Sequence, residues 1–305
     1  MKRLNYQSFY DKNAKSLFPW LLILPTLIFL GVFCFYPMIR GLGYALTDMD
    51  RSNPRMVNFV GFANFVKIFT EDTVFPITLI NSLKWVSVEV IGQLFFGMIF
   101  ALILNQKFFG RGLVRTFCFA PWAVSGVLTT MLWVLIYNEH IGLLNNVLEL
   151  AGLGHLTKAW VQNIDTAFSA VAIAELWRGI PFFTITLLGG LQGVPLELYE
   201  SAKIDGSNAW KSFWLITIPC MKESIIFATL MRTIWEFRSV DLIMTMTNGG
   251  PVRRTLTLPI YMYKTAIEDG YYGYGAALTV ILFMILSFYV VFFLKANNFG
   301  KGVNE

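Results

Sequence analysis

Six stretches of this chain are too apolar to have water as their solvent. They run roughly over residues 17–39, 85–104, 116–137, 167–194, 224–238 and 276–294, the fifth being the shortest. A helix needs about 20 mainly apolar residues to cross the hydrocarbon of a bilayer. Inside lipid each backbone amide must be paired within its own segment, so each run has to be helical. The first, third and sixth contain no charged residue. Charged residues make up 14% of the chain, against about 25% in soluble domains. The expected fold is an all-α membrane protein with six transmembrane helices.

The first run follows Lys2, Arg3, Lys12 and Lys15, as in a secretory signal. It is too long for a signal's apolar core of about 7–15 residues, and no small-x-small cleavage site follows. It is read as a retained span. Six spans place both termini on one side. The raw count of Lys and Arg barely separates the two sides. Their density does: Lys107, Arg111 and Arg115 in one short loop and Lys203, Lys211 and Lys222 in another lie on the same side as the N-terminus. Short flanking loops set orientation, so both termini are expected in the cytoplasm. The expected organisation is a cytoplasmic segment at 1–16, a transmembrane domain at 17–294 with a polar loop at 195–223, and a cytoplasmic tail at 295–305. The net charge of +5 suits a basic rim against anionic lipid and is no argument for nucleic acid. Cys34, Cys118 and Cys220, with His140 and His155, make no disulfide framework or metal spacing.

Three outer loops are expected. The first, about Arg40 to Lys84, holds the turn-rich Asp48–Pro54 and a short interfacial helix at 59–65, with its aromatics at headgroup level. The second, Asn138 to Asp165, is slightly acidic. The third, about Ser239 to Gly275, contains Thr247-Asn248-Gly249-Gly250-Pro251, a sharp turn with a structural role.

Charges fall inside the fourth and fifth runs. Glu175 and Arg178 lie in one; Arg232, Glu236, Arg238 and Asp241 lie in or just after the other. A lone charge at a helix centre costs roughly 2.5–3.5 kcal/mol to insert, so four would cost about 10–14 kcal/mol. The fifth segment therefore either leaves the membrane near Glu236 or lines a wet cavity. Glu175 with Arg178, Arg232 with Glu236, and Arg238 with Asp241 are three or four apart and can meet on one helix face. Local pairing near the interface is the bland account of Arg232 and Asp241. Aromatic faces among polar side chains bind sugars, which makes Glu175, Trp177, Arg178, Gly179, Phe182, Trp235, Glu236 and Ser239 the candidate substrate residues. Pro181 is expected to kink its helix. Glu89, a lone acid expected near the outer end of the second span, is given a structural role at a helix contact.

The polar loop carries the most specific signal. Pro195 favours a helix start just after it, Glu197 and Glu200 sit near the positive end of the dipole, and Gly206 is a helix stop. Glu200-Ser201-Ala202, Gly206 and Ile216-Thr217-Ile218-Pro219 match at their spacing the pattern Glu-Ala-Ala, three residues, Gly, nine residues, Ile-x-Leu-Pro. Ser201 and Ile218 are the departures. This segment resembles the EAA loop of integral-membrane permease subunits of binding-protein-dependent ABC importers, closest to the maltose-permease-like branch. The resemblance covers about Ala174 to Ala277, including Trp177-Arg178-Gly179 and Tyr272–Ala277. It implies the MetI-like type I permease fold, with a coupling helix that docks on an ATPase subunit through Leu198, Tyr199, Glu200, Ser201, Ala202, Asp205, Gly206 and Pro219. It also implies a heterodimer with a second homologous permease, an ATPase dimer that binds ATP and Mg, and an extracytoplasmic solute-binding protein. The setting is the bacterial cytoplasmic membrane and the cargo a carbohydrate, with an oligosaccharide expected. In that family the spans holding Glu175 and Glu236 line the sugar pocket.

No Gly-x-x-x-x-Gly-Lys-Ser/Thr loop and no Gly-x-Ser-x-Gly elbow occur. The chain is expected to be no enzyme and to take its energy from another subunit. An ion-coupled secondary transporter of a small polar solute is the alternative. It predicts matching halves with broken helices, a pattern not seen here.

Overall fold

The computed structural model describes residues 6–52 and 57–297, with side chains from Phe18 onward. Residues 1–5 of the expected N-terminal segment, Pro54, and the tail from 298 lie outside the described residues. The chain divides into two compact units, residues 1–67 with 265–280, and residues 68–264 with 281–305.

In the first unit, α1 (Tyr6–Leu30) passes through a wide turn at Gly31–Phe35 into α2 (Tyr36–Tyr44). The apolar stretch Phe18–Tyr44 is long enough to cross a membrane, and none of its most apolar window is buried. The helix does not stop at Ile39 as the sequence suggests. The Arg40 guanidinium lies 6.0 Å from the Tyr36 ring and 5.6 Å from the Tyr44 ring, and Arg40 donates to the Tyr44 hydroxyl at 3.0 Å. A cation held over aromatic faces need not end a helix. The first outer loop is accordingly shorter than expected. It is closed by a bridge between Thr47 and Phe59, and both Asp48 carboxylate oxygens accept from Asn58, at 2.7 and 2.9 Å. This bridge holds Phe59 extended, and Gly61 turns at φ 56. The expected helix at 59–65 therefore forms later, as α3 (Ala63–Thr70). Phe59, Phe62 and Phe69 remain exposed.

The second unit is built on α4 (Val74–Asn105) and α8 (Ala167–Gln192). α4 starts well before residue 85, because Asp72 caps it by accepting from the amides of Val74 and Phe75 at 2.7 and 3.0 Å. Lys84 lies within it and not in a loop. Its ammonium sits 4.0 Å from the centre of the Phe168 ring. Asn81 donates to the carbonyls of Arg253 and Leu256, and the Ser82 hydroxyl accepts from the Leu258 amide. Polar residues that lower a hydropathy average are here satisfied by protein.

Small residues let α4 and α8 approach, as at membrane helix contacts generally. Ala101, Ala167 and Ala174 are fully buried. A β-carbon at Gly97 would meet Phe183 and lie 3.2 Å from the Thr184 amide nitrogen. Backbone cannot yield as a side-chain tip can. Gly97→Ala is expected to destabilise the protein by about 1–3 kcal/mol, read as a lower midpoint of thermal unfolding in detergent. Gly112→Ala, with nothing within 4 Å of its new carbon, is expected to leave the midpoint within error.

The third expected span is broken. α5 (Arg111–Ala123) and α6 (Gly126–Ile136) meet at 99°. Pro121 lies in the last turns of α5, and Ser125 is extended at φ −54, ψ 140. Proline removes an amide and crowds the preceding carbonyl, and the apolar character of the run conceals that break. α8 runs unbroken through Pro181. The second outer loop is ordered around α7 (Leu143–Leu150) and the buried Asn145, which accepts from the Trp160 indole at 2.7 Å. Beyond α8 come α9 (Leu196–Ile204), α10 (Ala209–Ser212), α11 (Ile218–Cys220), α12 (Lys222–Phe237), α13 (Asp241–Met246), α14 (Leu258–Tyr263) and α15 (Tyr272–Ala296). α10 to α13 form a second bent pair, at 67°. Among the described residues, four helices are long and apolar enough to cross a membrane, or six if each bent pair is one span.

Candidate functional site

α4, α8 and α12 bring a charged cluster together. Arg232 lies at its centre, with Nη2 2.8 Å from Glu175 Oε1 and 2.7 Å from Glu236 Oε1. The Trp85 indole donates to Glu236 Oε2 at 3.0 Å. Gln93 Nε2 donates to Glu236 Oε1 at 3.1 Å and to Glu89 Oε2 at 3.0 Å. Glu175, Arg232, Glu236 and Glu89 are each at most 5% exposed. Buried charges survive only when paired and hydrogen-bonded; here Glu175 and Glu236 share the Arg232 guanidinium, while Glu89 has a hydrogen bond from the neutral Gln93 amide. A β-carbon at Gly179 would fall on Gln93 and Arg232. Gly179 leaves the space in which the α4 amide and the α12 guanidinium converge on Glu236 Oε1.

The cluster forms one wall of a cavity of about 210 Å³. Glu175, Arg178, Trp235, Glu236 and Ser239, all expected there, line it, joined by Arg232, Arg238 and Asp241. Arg178 Nη1 lies 3.7 Å from Glu175 Oε2, and neither atom has a hydrogen-bond partner. Both atoms are buried and face each other as a loose ion pair. Trp177, Gly179 and Phe182 do not line this cavity. Trp177 packs on Trp133 with ring centres 5.9 Å apart, and Phe182 lies under Trp235 at 4.8 Å.

Two expected pairings form, Glu175 with Arg178 and Arg232 with Glu236. Arg238 and Asp241 form no ion pair with each other among the described residues, because α12 ends at Phe237 and the helix face they were to share is interrupted. The helix stops beside Glu236, and the residues after it line a polar cavity. Glu89 is neither alone nor near a helix end. It sits at the middle of α4, fully buried and bonded to Gln93. Trp85 and Gln93 were not singled out from sequence, and Arg232, read there as one half of a local pair with Glu236, also reaches Glu175 on another helix. The signal available for Gln93 was its place one helical turn after Glu89, two polar groups stacked in an apolar span.

The polar loop folds as an exposed helix with a defined stop. Pro195 is extended ahead of α9, and none of the α9 residues is buried. After Asp205, Gly206 takes φ 76. Its amide donates to Lys203 O at 3.2 Å, and the Ser207 amide to Ala202 O at 2.8 Å. Those two bonds satisfy carbonyls that a helix end leaves open, and the positive φ is what only glycine supplies without strain. Leu198, Glu200, Ser201, Asp205, Gly206 and Pro219 are exposed, and Ala202 is half-buried. Tyr199 turns inward, its hydroxyl 2.9 Å from that of Thr217, and so ties α9 to the returning chain. Leu196, Ile204, Trp210 and Leu215 are large apolar side chains left 69–87% exposed on this loop, a surface of the kind that marks an interaction site.

Residues 93–300 match the family model described as binding-protein-dependent transport system inner membrane component. The chain is 33% identical to the trehalose/maltose transport system permease protein MalF of Thermococcus litoralis, over 95% of this chain and 97% of that one. It is 30% identical to the sulfoquinovosyl glycerol transport system permease protein SmoG of Agrobacterium fabrum, over 87% and 85%. Among solved structures, a chain of a bacterial alginate ABC transporter in complex with alginate pentasaccharide-bound periplasmic protein superposes with a TM-score of 0.80 at 22% identity, covering 96% of this chain and 98% of that one, which establishes the fold. With a helical permease fold, several membrane-crossing helices and a family match over most of its length, this chain belongs to the inner-membrane components of binding-protein-dependent transport systems.

Proposed function

We propose that this chain is one permease subunit of an ATP-driven importer that carries a carbohydrate through a prokaryotic cytoplasmic membrane by alternating access. The observation that carries this reading is α9: an ordered helix with no buried residue, stopped at Gly206 and flanked by exposed apolar side chains. Among the described residues nothing covers this surface, and a separate ATPase dimer would. That dimer binds ATP and Mg and closes on ATP, pulling the coupling helices of this chain and a second, homologous permease together. A loaded solute-binding protein docks on the opposite face. Both termini and α9 then lie in the cytoplasm. Membership of the family sets aside the ion-coupled alternative.

A carbohydrate is supported by the relatives and by the cavity chemistry. The cavity is lined by the polar side chains of Glu175, Arg178, Arg238, Ser239 and Asp241, donors and acceptors of the kind that sugar hydroxyls take, beside the partly exposed ring of Trp235. Mixed charge on the wall suits a neutral oligosaccharide. The test is ATP-dependent uptake of labelled trehalose, maltose and an acidic oligosaccharide into vesicles holding the assembled transporter. Trp235→Ala is expected to weaken the apparent affinity about 3–10-fold, since an aromatic contact contributes about 0.5–1.5 kcal/mol. Uptake that needs only an ion gradient, with ATP absent, would overturn the reading.

A further inference from the structure

A groove of about 1210 Å³ opens between the second half of α4 and the chain that returns from α9 to α12. Its wall changes character along α4. From Ile91 through Phe95 and Met98 to Leu102 it is hydrocarbon, faced by Trp214 and Ile225. At Asn105 and Gln106 it becomes polar, with Lys203 and Ser207 opposite. Ile91 to Asn105 covers about 21 Å at a rise of about 1.5 Å per residue. One leaflet with its headgroups is half of about 40–45 Å. The groove therefore has the length of a leaflet and its polarity in the same order. Trp210, at the polar end, is 69% exposed, and tryptophan favours the headgroup level. Lys203 forms no ion pair among the described residues.

We propose that this groove holds one phospholipid of the cytoplasmic leaflet, its phosphate at Lys203 and its acyl chains along α4. A transmembrane helix from a second subunit fits the apolar wall but leaves the ammonium and the two amides at its end without an anion; a phosphate supplies one. Tyr199 and Thr217, whose hydroxyls join α9 to the returning chain, also line the groove. The bound lipid thus touches the element assigned to coupling, and an anionic headgroup steadies it. The choice of leaflet rests on the cytoplasmic placement of α9 proposed above.

The experiment measures lipid retained by the full chain, extracted in the complex it forms, after detergent exchange in mixed micelles of phosphatidylglycerol and phosphatidylcholine. Native mass spectrometry is expected to count one phosphatidylglycerol per copy, in preference to phosphatidylcholine. Lys203→Glu is expected to lower that preference roughly tenfold or more, and Lys203→Arg to keep it. Ile99→Trp, which fills the apolar wall, is expected to displace both lipids. Retention unchanged in both Lys203→Glu and Ile99→Trp would overturn the proposal, as would an Ile99→Cys variant that cross-links to a second permease subunit. None of these readouts needs ATP or substrate. Their failure leaves the transport reading intact, and lipid retention without ATP-driven uptake fails that reading alone.

Discussion

Arg232→Ala is expected to destabilise this protein by about 3–5 kcal/mol. The residue is 5% exposed and its Nη2 lies within 2.8 Å of two carboxylates on different helices. Removing it leaves Glu175 and Glu236 buried with their principal cation gone. Glu175 keeps only Arg178 at 3.7 Å, and Glu236 keeps the neutral donors of Trp85 and Gln93. The expected result is a large drop in the thermal midpoint in detergent, together with low yield from membranes. The charge account is separated from a packing account by the triple variant Arg232→Met, Glu175→Gln, Glu236→Gln. It keeps the volume and removes all three charges, and replacing a buried ionic group by neutral residues of like size is often neutral. The triple variant should recover most of the midpoint lost by Arg232→Ala. If Arg232→Ala alone costs less than about 1 kcal/mol, the cluster is not the burden on stability that its burial implies.

The same cluster shows where sequence reading stops. The ends of α8 are almost those expected, because its apolar run begins and finishes sharply, at Ala167 and beyond Leu191. The stop of α9 at Gly206 is legible too, since local chemistry decides it. The start of α4 is not. Its first turns carry Asn81, Ser82 and Lys84, whose partners are Arg253, Leu256, Leu258 and Phe168, all far along the chain. The bend between α5 and α6 hides because Pro121 is itself apolar. In the cavity, the i to i+3 and i to i+4 pairs could be read from spacing. The bond from Arg232 to Glu175 and the grip of Trp85 on Glu236 could not, because they cross from helix to helix. Helical periodicity reports which residues share a face and is silent on which faces meet.

Gly206→Val is expected to uncouple ATP hydrolysis from import while leaving the fold in place. At φ 76 a residue with a β-carbon is strained by about 1–2 kcal/mol, and a β-branched one by more. Nothing lies within 4 Å of the carbon that would be added, so the penalty is conformational and not steric. Its effect is local. The bonds from Gly206 to Lys203 O and from Ser207 to Ala202 O loosen, the last turn of α9 frays, and Glu200, Ser201 and Asp205 lose a fixed orientation. The helix has no buried residue, so the global thermal midpoint should fall little. Coupling between two sites is typically worth about 1–3 kcal/mol, or about 5–150-fold, and the ratio of substrate imported to ATP consumed should fall within that range. Gly206→Asn is the control, since asparagine tolerates the left-handed region and recurs at helix stops; it should retain most of the ratio. Import at full rate by the valine variant, with the ATPase subunits still attached, would show that the stop at Gly206 does not carry the force.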